Sequence, residues 1–135
     1  MVRTLLGTMI GTAAAALAIR AGQIAYLQLH PSQPVTDLTT MDTLSAHANA
    51  APLQALTCVL AGWAVAAFAG GWVGALVAGQ NRGAAALLVG ALVTAAVVVH
   101  AAQVPNPEWV AVLGLLLPIP SAVLAKMLAT PRGQF

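Results

Sequence analysis

Residues Leu53–Gly79 read LQALTCVLAGWAVAAFAGGWVGALVAG. This run exceeds the roughly 20 apolar residues that span a bilayer as a helix. Gly62, Ala66, Gly70, Gly74 and Ala78 recur at every fourth position, and Ala67, Gly71, Ala75 and Gly79 form a second row beside them. Residues four apart stack on one helix face. The stretch therefore predicts a membrane helix with a broad face nearly free of side chains. Neighbouring helices can approach such a face closely, and in lipid that contact is a main source of helix association. Trp63, Phe68 and Trp72 are expected to supply bulk elsewhere on the helix.

The rest of the chain has the same character. Of 135 residues, 60% are hydrophobic and 6% charged, against about a quarter charged in an ordinary soluble domain. Mean hydropathy is +0.89. These values predict one all-α integral membrane domain over residues 1–135, with the lipid bilayer as its first partner. The net charge of +2 contains no basic run that could neutralise phosphates, so no nucleic-acid partner is expected. Cys58 is the single cysteine and lies in an apolar run, which reads as a small buried hydrophobe.

Four predicted helices cover about 4–29, 53–79, 83–103 and 108–128. Arg3 and the apolar run from Leu5 have the outline of a secretory signal, but we read them as a retained first helix. Its Gly7, Gly11, Ala14, Ala18 and Gly22 make another small-residue face, and Pro31 and Pro34 stop it. Thr39 and Asp42 fit a capping box, which predicts a short interfacial helix over about 40–48. Pro52 is placed to open the second helix. Gln80, Asn81 and Arg82 are expected to form a tight turn, so the second and third helices should be antiparallel neighbours. Gly90, between Ala86 and Thr94, offers a matching small face. Asn106 suits a helix N-cap and Pro107 the first helical position. Pro118 and Pro120 should kink the fourth helix, the Pro118 ring lying toward the Gly114 carbonyl.

Four crossings put both termini on one side. Arg3, Arg82, Lys126 and Arg132 fall at one set of helix ends, and Asp37, Asp42 and Glu108 at the other. The positive-inside rule then places both termini in the cytoplasm and the protein in the cytoplasmic (inner) membrane.

Arg20 is the one charge inside an apolar stretch. It either snorkels to the outer surface or belongs to a functional cluster. Arg20, Gln23, His100, Gln103 and Glu108 all fall near the outer helix ends and could converge there into a polar pocket. Alternatively, helix ends are polar because they meet headgroups and water. His30, His47 and His100 include no pair four apart, so neither a metal nor another cofactor is expected. Ser45 and Ser121 lack a partner motif, and no catalytic residues are assigned.

These motifs resemble a group of small, uncharacterised four-helix bacterial membrane proteins. The likeness rests on Gly62-Trp63 and Ala67-Phe68-Ala69-Gly70-Gly71-Trp72-Val73, on the Pro-rich exit Tyr26 to Pro34, and on the spacing of Pro105 and Trp109. The resemblance implies a fold and no activity. It also implies a Glu near the position of Gln23, whose neutrality here argues against a proton-coupled carboxylate. Small multidrug transporters share the size but depend on a membrane Glu in their first helix, which this chain lacks. The expectation is a non-enzymatic structural or accessory subunit of a homo-oligomer or larger membrane complex. The alternative is a small transporter or channel using the outer polar pocket.

Overall fold

The computed structural model describes residues 1–30, 46, 50–103 and 106–131. Among these, all regular structure is helical. The helices are α1 (Val2–Leu29), α2 (Leu53–Ala78), α3 (Arg82–Gln103), α4 (Glu108–Leu116) and α5 (Pro118–Ala129), with a 3-10 turn at Gly79–Asn81 between α2 and α3. Three apolar helical stretches are long enough to cross a membrane: Val2–Leu29, Leu53–Gln103 and Glu108–Ala129, the second interrupted by the 3-10 turn. The interfacial helix expected over about 40–48 lies, apart from Ala46, outside the described residues.

The centre of the structure is α2, which packs against α1, α3 and α5. The row Gly62, Gly70, Gly74 faces α1, which runs antiparallel to it. A Cβ placed on Gly70 would meet the Gly11 carbonyl oxygen at 2.6 Å, and one on Gly62 the Gly22 Cα at 3.2 Å. Gly7 in turn has no room for a Cβ beside the Gly74 carbonyl. These are backbone-to-backbone contacts that a side chain would prevent.

The second row of α2 faces the other way. A Cβ on Gly71 would lie 3.3 Å from Ala125 Cβ in α5 and 3.4 Å from the Ala86 carbonyl in α3. Ala75, Ala86 and Ala129 form a buried cluster there. Gly90 of α3 leaves its space to Ala122 of α5. Val89 of α3 fills the wedge between α1 and α2, beside Gly11, Gly70 and Gly74.

Several expected boundaries shift. Asn106 was the expected N-cap, but Pro107 holds that position with φ −51 and ψ 142, and no side-chain cap is made. The extended ψ keeps Pro107 outside the helix, while its carbonyl accepts from Val110 N–H at 3.0 Å. The fourth predicted helix is divided at Leu117 into α4 and α5. Pro118 and Pro120 carry no N–H, so the rungs to the Gly114 and Leu116 carbonyls cannot form. The Leu117 N–H still reaches the Leu113 carbonyl at 2.9 Å, so the chain continues in nearly helical conformation.

The end of the bundle that carries the turn is fastened by polar contacts. Arg82 donates from Nε to the Gly79 carbonyl at 3.0 Å and from a guanidinium nitrogen to the Ala129 carbonyl at 2.9 Å. Asn81 Nδ2 donates to Thr4 Oγ1 at 3.1 Å. These contacts tie the turn to α1 and to the C-terminal end of α5. Gly79 has φ 71 and ψ −105, a conformation open in practice to glycine alone.

Candidate functional site

At the opposite end of the bundle, α1, α2 and α3 bring polar side chains together. Gln23 and His100 line two adjoining cavities. One, of about 190 Å³, also touches Tyr26, Val59 and Asn106. The other, of about 340 Å³, also touches Ile19, Trp63, Val99 and Gln103. The floor is Trp63, only 3% exposed. Its ring meets the His100 ring edge-on at 5.5 Å, and its six-membered ring fills the space where a Cβ on Gly114 would stand. Glycine at 114 therefore makes room for Trp63 between α2, α3 and α4.

Gln23, Tyr26 and His100 are half-buried, and Gln103 is exposed. No hydrogen bond engages the Gln23 or Gln103 amides, and His100 has only its ring contact with Trp63, among the described residues. The amides can each donate and accept, and so can a neutral imidazole. The groove is thus a set of neutral hydrogen-bonding groups with spare capacity, open along Val99 and Ile19 to the apolar exterior.

Two members of the expected pocket stand apart from it. Arg20 is exposed and makes no hydrogen bond or ion pair among the described residues. The cause is helical geometry. Ala18 and Gly22 face α2, where the Ala18 carbonyl and Gly22 Cα lie against Gly62. A residue two positions from each is turned about 200° away. Glu108 is likewise exposed, in the first turn of α4, and lines neither cavity.

The expected packing residues lie as follows. Gly62, Ala66, Gly70, Gly71, Gly74, Ala78 and Gly90 are all buried. Their small faces are occupied within the chain, by α1, α3 and α5. Trp63 was expected to be bulk away from the packed surface and instead anchors the core beside Leu56, Leu60, Val97 and Val110. The signal for this was present, since Trp63 heads the row Ala67, Gly71, Ala75 that faces α3 and α5. Cys58 is free and half-buried. No group of three His, Cys, Asp or Glu able to hold a metal occurs among the described residues.

No protein-family model matches this chain, and no curated protein or solved structure matches it.

Proposed function

We propose that the chain is a four-crossing helix bundle of the cytoplasmic (inner) membrane with both termini inside, the middle apolar stretch crossing twice through the turn at Gly79. It works as a non-enzymatic structural or accessory subunit of an oligomer or larger membrane complex. The reading includes membership of the small bacterial membrane proteins its motifs resemble. Since the small rows of α1 and α2 are used inside the chain, a partner must be met elsewhere. The observation carrying the proposal is an open groove of about 360 Å³ between α3 and α5, bordered by Leu87 and Ile119, with the small Ala91 and Thr94 at its surface and Gly90 packed on Ala122 beneath. Small floors of this kind let a further helix approach in lipid.

The test is the particle mass by native mass spectrometry after release from nanodiscs. A multiple of the 13.6 kDa protomer, or a stoichiometric complex, is expected, and Ala91→Leu, which fills the groove, should reduce it. A single protomer in both proteins contradicts the subunit reading. The Gln23–His100–Gln103 groove favours a second reading, a small transporter or channel. Solute or proton flux in proteoliposomes that is lost in Gln23→Leu would replace the first reading with the second.

A further inference from the structure

The exposed Arg20 stands beside the outer polar groove, one helical turn and about 4.5 Å nearer the bilayer centre than Gln23. His100 lies about 27 Å along the axis from Arg82, and Gln23 about 30 Å from Arg3. The hydrocarbon core is about 30 Å thick. With the arginines of the turn end at one boundary, Gln23 and His100 fall at the other, where glycerol esters meet the acyl chains. Arg20, one turn before Gln23, has a long stem that carries its guanidinium outward to the phosphates.

The groups at this level are complementary to a single kind of molecule. The Gln23 and Gln103 amides and the His100 imidazole are without hydrogen bonds among the described residues. Polar groups left unsatisfied near hydrocarbon are costly. Beside them the groove is apolar, walled by Ile19 and Val99 and floored by Trp63. Arg20 flanks it, next in sequence to Ile19, and its guanidinium matches a phosphate in geometry and charge.

We infer that this groove between α1 and α3 is a seat for one glycerophospholipid of the outer leaflet. Arg20 binds its phosphate. Gln23, His100 and Gln103 hydrogen-bond its glycerol ester oxygens, and one acyl chain lies along Ile19 and Val99. The inference goes beyond the subunit role and needs only the membrane placement on which that role rests.

The experiment uses the full chain in nanodiscs of equal parts phosphatidylglycerol and phosphatidylcholine, released into mild detergent for native mass spectrometry. A retained adduct of one phospholipid is expected. Gln23→Leu combined with His100→Phe should lower its occupancy about tenfold, the effect of losing two modest hydrogen bonds. Arg20→Gln should lower phospholipid retention and leave retention of added diacylglycerol unchanged, because only the phosphate contact is removed. Lys126→Gln, at the other end of the bundle, should change nothing. Retention indifferent to all three outer substitutions, or equally reduced by Lys126→Gln, overturns the seat.

A second measurement covers misfolding of the double variant. In a Trp72→Phe, Trp109→Phe background with the groove intact, Trp63 fluorescence should be quenched by brominated-chain phosphatidylglycerol present at low mole fraction in phosphatidylcholine. It should be quenched less when Arg20→Gln is added. Absence of quenching at Trp63 refutes the proposal independently. The fusion test of topology described below fails separately if the membrane placement itself is wrong.

Discussion

Alanine at Gly70 and at Gly71 should have opposite consequences, although the two glycines are adjacent. At Gly70 the new methyl would stand 2.6 Å from the Gly11 carbonyl oxygen, 2.8 Å from Ala15 Cβ and 3.1 Å from a Val89 methyl. Ordinary carbon contacts begin near 3.5 Å. Backbone stands on one side and a branched side chain on the other, so the whole of α1 must move outward. Overpacking of this kind costs about 1–3 kcal/mol. Replacing a helical glycine by alanine returns about 0.5–1 kcal/mol, which leaves Gly70→Ala destabilised by about 0.5–2 kcal/mol.

At Gly71 the nearest atoms are Ala125 Cβ at 3.3 Å and the Ala86 carbonyl at 3.4 Å. A give of a few tenths of an ångström accommodates the methyl, and the backbone term then decides. Gly71→Ala should be neutral or stabilising by up to about 0.5 kcal/mol. Gly62→Ala, facing the Gly22 Cα at 3.2 Å, should fall between them. Unfolding midpoints of the three variants in one detergent, from denaturant titrations followed by circular dichroism, give the order directly. Equal midpoints for Gly70→Ala and Gly71→Ala, or the reverse order, would refute the assignment of the first row to α1 and the second to α3 and α5.

Gly79→Ala should destabilise by about 1–3 kcal/mol, because the φ and ψ there strain any side-chain-bearing residue and the Arg3 guanidinium stands 3.1 Å from the added carbon; the same unfolding assay checks it. Arg82→Met removes the bonds to the Gly79 and Ala129 carbonyls and should cost about 1–2 kcal/mol, with protease sensitivity rising at the C-terminal end of α5. Val65→Leu, at a position 53% exposed on α2, should leave the midpoint unchanged. Reporter fusions after the C-terminus and near residue 45 should read cytoplasmic and external respectively, and a cytoplasmic signal at residue 45 refutes the orientation.

The sequence by itself determined that the chain is helical and apolar, and nearly where its helices begin and end. Length and hydropathy suffice for that, because in lipid each span must satisfy its own backbone and does so independently of its neighbours. The glycine rows were equally legible as surfaces, since their period belongs to a single helix. Which partner covers which row was not legible. Gly70 and Gly71 look alike in the sequence, yet one meets a carbonyl of α1 and the other a methyl of α5. That difference comes from how α1, α3 and α5 pack around α2. The same holds for the candidate site. The polar residues at these helix ends could be listed from sequence, but helical phase and neighbour contacts turn Gln23 and His100 into one groove with Gln103 while directing Arg20 and Glu108 away from it. Trp63 shows the point most directly. Beside a glycine it read as bulk away from the small-residue face, and only the packing of α2 against α3 and α4 opened a place for its ring over Gly114.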